Sequence, residues 1–128
     1  MEPIWIERIA LLRVHSISLS QFGGADGLRD EGLMESALMR PRNLYHYEQV
    51  EDVFRLAAAY AFGLAKNHPF VDGNKRAAFA ACGMFLLRNG QKLAADKVDA
   101  YHTVLKLAAG EMIETDFAAW LRQNCRAA

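Results

Sequence analysis

The residues of this sequence best suited to chemistry on a phosphate are consecutive, from His68 to Arg76. They read His-Pro-Phe-Val-Asp-Gly-Asn-Lys-Arg, and an apolar run from Ala77 to Leu87 follows directly. Histidine titrates near neutral pH, so His68 is a candidate general base for an attacking hydroxyl. Asp72 is a candidate magnesium ligand, because Mg²⁺ often takes one carboxylate from the protein and its remaining ligands from phosphate and water.

The second half of this motif is suited to binding an anion. Gly73 permits positive φ and a close backbone approach, and the amides of residues 73–75 can point at a phosphate where the next helix begins. Lys75 and Arg76 add one mobile and one fork-shaped cation. Taken singly, each of these residues is better explained by a turn, a helix cap or a solvated surface. Their conjunction at a loop-to-helix junction favours a phosphate-transfer site.

The overall composition is that of an ordinary globular protein. With 128 residues, 52% of them hydrophobic and 23% charged, the chain predicts a single domain over residues 1–128. The formal net charge is +0, so nothing favours non-specific binding to nucleic acid or to an anionic membrane. Neither a signal peptide nor a membrane-spanning run is recognisable. Cys82 and Cys125 have no paired spacing, and we expect reduced thiols in a cytoplasmic protein.

Helical periodicity dominates the chain and predicts an all-α, compact bundle of about six helices. The active-site loop is expected directly before a central buried helix, with Phe70 turned inward as its anchor. Residues 23–27 are expected to form a loop, and residues 41–50 a loop or a short extended flap. The expected helices run from about Ile4 to Leu19, Glu51 to Lys66, Asn74 to Asn89 and Ala95 to Ala109. A short second helix is expected to be capped by Asp30 and followed by Pro41, and a last one to be capped by Thr115.

The sequence also resembles a known family. Residues 68–74 resemble the His-Pro-Phe-x-Asp-Gly-Asn signature of Fic-domain proteins, and the following Lys75-Arg76 resembles the Doc (death-on-curing) toxin branch. Residues 27–38, residues 85–90 and the overall length are also similar to Doc proteins, so the resemblance covers nearly the whole chain. It implies a small helical Fic-like fold that uses ATP and Mg²⁺ to transfer the terminal phosphoryl group to a hydroxyl of a protein.

The resemblance assigns roles by position. It implies that His68 is the base, that Asp72 is the metal-binding carboxylate, and that Asn74, Lys75 and Arg76 bind phosphate. It also implies that the protein target is a translation elongation factor, whose modification would block translation.

Two alternatives to protein phosphorylation stay open. Members of the larger Fic branch usually transfer AMP to a protein hydroxyl, and they usually have glycine where this chain has Lys75 and a second arginine where it has Phe79. The other alternative is a non-catalytic module that binds a nucleotide or a partner. The intact base, carboxylate and cations argue against such a module.

A separate inhibitor is implied by a motif that is missing. Fic proteins that restrain themselves resemble one another in a Ser/Thr-x-x-x-Glu-Gly/Asn helix, whereas here the residue four before Glu31 is Gly27. Together with the Doc resemblance, this implies a cognate antitoxin with a disordered segment. We expect that segment to fold as an amphipathic helix into a groove beside the motif loop, lined by apolar residues of the first helices.

Overall fold

The computed structural model describes residues 1–128, and it has six helices and one small sheet. This architecture confirms the expected all-α fold. No helix is both long enough and apolar enough to cross a membrane. The helices are α1 (Arg8–Phe22), α2 (Glu31–Glu48), α3 (Val53–Asn67), α4 (Asn74–Arg88), α5 (Lys97–Ala109) and α6 (Glu114–Gln123), and the antiparallel strands are β1 (Gln91–Leu93) and β2 (Cys125–Ala127).

Helices α3 and α4 form the centre of a single hydrophobic core. Small residues let the neighbouring helices approach α3 closely: a Cβ added to Gly63 would lie 3.1 Å from Cα of Ala37 in α2. The fully buried Tyr60 of α3 accepts a hydrogen bond from the Ile6 amide at 2.9 Å, which ties the N-terminal segment to the core. The central position of α4 fixes where the motif loop at its N-terminus can lie.

The first helix begins later than expected and ends later. The sequence prediction placed it from Ile4 to Leu19, but α1 starts at Arg8. Trp5 and Ile6 are instead buried in a non-helical segment, and the main chain of Ile4 pairs with the Asn89 side chain, its amide donating at 2.8 Å and its carbonyl accepting at 3.0 Å. These tertiary contacts outweigh the local preference for a helix after a proline.

The prediction of a loop or flap over residues 41–50 was wrong, because α2 continues through Pro41 to Glu48. A proline inside a helix costs about 3 kcal/mol, so the continuation must be stabilised from outside. Pro41 itself is buried, the ring of Tyr45 packs edge-on against Trp5 at a centroid distance of 5.7 Å, and Arg42 forms a 2.8 Å ion pair with Glu7.

Two features near the C-terminus also differ from the prediction. Thr115 does not cap the last helix: Ile113 is the N-cap residue, and its carbonyl accepts from the amides of Asp116 and Phe117 at 3.1 Å. The strands β1 and β2 were not expected, since three residues are too few to show an alternating pattern. Cys125 in β2 and the buried Cys82 are both free thiols.

Candidate active site

The candidate base, His68, terminates α3. Its amide donates to the Leu64 carbonyl at 3.3 Å, and its backbone takes the left-handed conformation with φ 48° and ψ 56°. The following Pro69 disfavours right-handed helical geometry at His68. The His68 ring is exposed and has no hydrogen-bond partner within the chain. It lines a cavity of about 650 Å³ that Lys75 and the end of α5 also line.

Phe70 anchors the motif loop to the hydrophobic core. Its side chain is 1% exposed, confirming the expected inward anchor, and it stacks on the His15 ring with centroids 3.7 Å apart and planes 7° apart. The side chain of Asn74 accepts from the Phe70 amide at 2.9 Å and donates to the Phe70 carbonyl at 3.0 Å. The amide side chain of Asn74, expected from the resemblance to bind phosphate, is therefore occupied in shaping the loop.

The Asp72 carboxylate is exposed and is oriented by main-chain donors. Its Oδ1 accepts from the Gly73 amide at 2.8 Å and its Oδ2 from the Ala25 amide at 3.3 Å. These two hydrogen bonds hold the pKa of the Asp72 carboxyl below its usual value, and the charge of Arg76 acts in the same direction. Asp72 is consequently an anion at neutral pH, the form that a metal ion requires.

The free amides at the start of α4 belong to residues 74–76, one position later than the expected 73–75. The Gly73 amide is taken by Asp72, whereas the three that follow have no acceptor within the chain. The first amide in a helical hydrogen bond is that of Ala77, which donates to the Gly73 carbonyl at 2.9 Å. With Gly73 at φ 75°, the turn leaves three parallel donors at the positive end of the helix dipole.

The two motif cations lie beside these amides in different surroundings. Lys75 is exposed and forms no ion pair. Arg76 is half-buried, donates from Nη2 to the Gly23 carbonyl at 2.9 Å, and lies with its guanidinium carbon 5.5 Å from the Phe22 ring centroid. One cation therefore has no hydrogen bond or ion pair within the chain, and the other is attached to the end of α1.

Two residues outside the motif hold its main chain, and the sequence prediction did not identify either. Nε2 of His15 lies 2.8 Å from the Asp72 carbonyl, and Arg29 donates to the carbonyls of His68 and Asn67 at 2.7 and 2.8 Å. The one available signal was the position of His15 on the buried side of α1, where a polar ring replaces the expected apolar residue.

The segment before α2 pairs with the motif loop. Leu28 and Phe70 form an antiparallel bridge, Val71 donates to the Gly27 carbonyl at 3.0 Å, and the amide of Arg29 donates to Pro69 at 2.7 Å. These hydrogen bonds attach residues 27–30 to the motif loop, so that they form one wall of the site.

Asp72 is the single carboxylate of the motif, and no cluster of three or more metal-binding side chains exists elsewhere. Each Asp72 oxygen accepts one main-chain hydrogen bond, which leaves further lone pairs for a cation. Gly24 approaches this carboxylate so closely that an added Cβ would lie 2.8 Å from Oδ2. This donor set fits Mg²⁺ bound through one carboxylate, phosphate and water, and it does not fit a metal held by protein alone.

A helical domain with its motif loop before a central helix is the architecture that the resemblance to Fic-domain proteins implied. A family model described as the Fic/DOC family matches residues 5–86. The chain is 32% identical over 113 residues to Protein kinase doc of Escherichia phage P1, covering 88% of this chain and 89% of that protein. It is 42% identical over 93 residues to Toxin Doc of Mycolicibacterium smegmatis, covering 72% and 69%. The chain therefore belongs to the Fic/DOC family.

Proposed function

We propose that this protein is the toxin of a toxin–antitoxin pair and that it phosphorylates a hydroxyl of a protein target with Mg-ATP. The observation that carries the proposal is the set of three free amides at residues 74–76, flanked by Lys75 and Arg76 and close in sequence to the exposed ring of His68. The names of the two relatives, a protein kinase and a toxin, support the same reading. An elongation factor is the target that we expect from the resemblance.

In the proposed site the phosphate groups of ATP lie on the free amides of α4. Lys75 and Arg76 neutralise part of the polyphosphate charge, since helix N-termini and cations favour the same anion. The Asp72 carboxylate would hold Mg²⁺, which supplies charge neutralisation at the phosphate oxygens. Because the free amides and the Asp72 carboxylate are already oriented by the loop, nucleotide binding need not order them.

The chemical step uses His68 as general base. Its imidazole takes the proton of the target hydroxyl while the hydroxyl oxygen forms a bond to the γ-phosphorus. The bond from that phosphorus to the β,γ-bridging oxygen breaks, and ADP leaves. A base must lie within hydrogen-bond reach of the proton that it removes. The acceptor therefore enters the cavity of about 650 Å³ that contains His68 and the end of α5.

The cations of the site favour phosphoryl transfer over AMP transfer. The position at which the AMP-transferring branch usually has a second arginine is Phe79, which is half-buried and packs against the core. Lys75 occupies the position at which that branch usually has glycine. The cationic contacts are thus concentrated at the first turn of α4, next to the position that the transferred phosphoryl group would take.

The proposed antitoxin segment fits a second cavity, of about 640 Å³, on the other side of Lys75. Its walls come from α1, α4 and α5, so α1 is the only one of the first helices that contributes. Apolar side chains dominate the walls, and the two motif cations, Lys75 and Arg76, lie at one end. An amphipathic helix with an acidic residue at that end would match both features. The apolar lining includes Val14, Ile17, Phe22, Phe79, Ala80, Tyr101 and Val104.

The decisive experiment supplies ATP labelled separately at the α and γ phosphates to the purified protein and a bacterial lysate. Protein-bound label from γ alone supports phosphorylation, label from α indicates AMP transfer, and no label from either favours the non-catalytic module. Expression without a partner in a bacterium tests the toxin proposal. Growth arrest by the wild type, relieved by His68→Ala, is expected, whereas normal growth with soluble folded wild type would contradict it.

The second cavity, proposed as the groove that binds the antitoxin segment, is tested by the same growth assay with a co-expressed antitoxin. Substitution of Ile17, which is 53% exposed in the groove, by glutamate should abolish rescue without reducing toxicity. Ile9, which is 69% exposed on the same helix and does not line the groove, provides the matched control. Rescue of the Ile17 variant as efficient as that of the Ile9 variant would place the antitoxin elsewhere.

A further inference from the structure

Two side chains outside the motif hold opposite ends of its loop. At the end that carries Asp72, His15 is 3% exposed and its Nε2 lies 2.8 Å from the Asp72 carbonyl. The same ring stacks on Phe70 at 3.7 Å. No other donor of the chain forms a hydrogen bond to the Asp72 carbonyl. In particular, the amide of Arg76, four residues later, does not donate to it as it would in a continuous helix.

At the end that carries His68, Arg29 provides the corresponding contact. Its Nε donates to the His68 carbonyl at 2.7 Å and its Nη2 to the Asn67 carbonyl at 2.8 Å. A fork-shaped guanidinium that donates to two successive carbonyls fixes the peptide plane between them. This matters because His68 has φ 48°, a conformation that side chains other than glycine adopt at an energetic cost.

We propose that His15 and Arg29 are positioning residues that act on different functional groups of the site. His15 fixes the Asp72 peptide, and with it the direction of the carboxylate and of the amides that follow. Arg29 fixes the turn at His68, and with it the placement of the imidazole. This inference rests on the proposed phosphoryl transfer for its catalytic consequences, but its effect on Mg-ATP binding can be measured without turnover.

The two contacts predict separable defects. Loss of the His15 donor frees the Asp72 peptide to rotate, so the Mg²⁺ concentration needed for ATP binding should rise about tenfold, the usual effect of removing a group that orients a metal ligand. Loss of Arg29 displaces the base and leaves the metal ligand in place. It should lower kcat about 10- to 100-fold with unchanged Mg²⁺ dependence, because misplacement by about 1 Å costs rates of that order.

The variants are chosen to separate the hydrogen bond from the packing. His15→Phe keeps an aromatic ring for Phe70 and removes the donor, whereas His15→Gln keeps a donor and removes the ring. Arg29→Lys retains the charge and loses the fork. Arg13→Ala, on the exposed side of α1 and without an ion pair, is the control for His15. Arg126→Ala, at another exposed arginine, in β2, is the control for Arg29.

Mg²⁺-dependent ATP binding is measured by calorimetry and kcat by γ-label transfer, with melting temperatures of every variant. The proposal is supported if His15→Phe raises the Mg²⁺ concentration needed for ATP binding and His15→Gln partly restores it. It also requires that Arg29→Lys lowers kcat without changing that concentration. Unchanged Mg²⁺ dependence in His15→Phe, or equal losses of both quantities in both variants, would overturn it. Absence of transfer by the wild type would refute the proposed function. The calorimetric measurement on the His15 variants would still test the positioning role of His15, because it does not depend on turnover.

Discussion

Replacing Asn74 by alanine tests whether its side chain shapes the loop or contacts the nucleotide. The Asn74 side chain makes both of its hydrogen bonds to the main chain of Phe70, at 2.9 and 3.0 Å, and the two residues are 8% and 1% exposed. The substitution leaves one amide and one carbonyl of Phe70 without partners. Each buried unpaired polar group costs about 1–3 kcal/mol, so the loss of two partners should lower the free energy of unfolding by about 2–6 kcal/mol.

Urea unfolding and thermal melting measure this loss. For a domain of this size each kcal/mol lowers Tm by about 3–6 °C, so a decrease of roughly 6 °C or more is expected. Asn43→Ala, on the exposed side of α2 and without a hydrogen bond, should leave Tm within about 2 °C. The Asn74→Ala protein that remains folded below its transition should bind ATP weakly because the amides of α4 are no longer aligned.

The opposite pattern would refute this reasoning. If Asn74→Ala had the unfolding free energy of the wild type and a reduced ATP affinity, the side chain would be a direct phosphate ligand, as the family resemblance implied. Stability and binding must be measured on the same preparation, since a destabilised loop lowers apparent affinity as well.

Four further predictions follow from the site and the core. His68→Ala should lower transfer about 10²–10⁴-fold. His68→Asn should lose as much activity with no loss of stability, because asparagine tolerates the left-handed backbone at this position. Near-normal turnover by either His68 variant would show that His68 is not the base. Neutral substitutions of Lys75 or Arg76 should each weaken ATP binding by about 1.5–3 kcal/mol in calorimetry, and equal affinities would reject the phosphate contact. Without ATP, Tm should be nearly unchanged for the exposed Lys75 and lower for Arg76, whose hydrogen bond to the Gly23 carbonyl is lost. Gly24→Ala should raise the Mg²⁺ requirement, because at φ +122° the added Cβ would lie 2.8 Å from the Asp72 carboxylate; an unchanged requirement would mean that residues 23–27 move away freely. Burial raises the pKa of Tyr60 to about 12, so its contribution to stability is complete below the unfolded pKa of about 10 and is lost as the pH rises from there to about 12. Urea midpoints measured over that range should fall more steeply for the wild type than for Tyr60→Phe, and parallel curves would contradict the assignment.

The helices that could be predicted are those whose apolar pattern and boundary residues agree. The range of α3 differs from the expected one by two residues at its start and one at its end, and α5 ends at Ala109 as expected. The errors arise where tertiary packing opposes a local signal. Pro41 is a strong reason to end a helix, yet the contacts of Tyr45 and Arg42 with the N-terminal segment outweigh it. Those contacts join residues far apart in sequence, which no local pattern reveals.

The motif could be recognised because its functional groups are contiguous, but contiguity does not provide their geometry. The residues that orient it lie at a distance in sequence: His15 and Asp72 are separated by 57 positions, and Arg29 and His68 by 39. Both contacts are made to main-chain carbonyls, which every residue type has. The types of the contacted residues therefore give no sign of these contacts in the sequence. A motif loop placed before another helix would retain the free amides, since these follow from the helix start. It would lack the peptide orientations that His15 and Arg29 impose. We therefore expect such a graft to bind phosphate weakly without the Mg²⁺ dependence of the intact domain, and a graft that binds Mg-ATP as the whole protein does would show that the nine residues alone suffice.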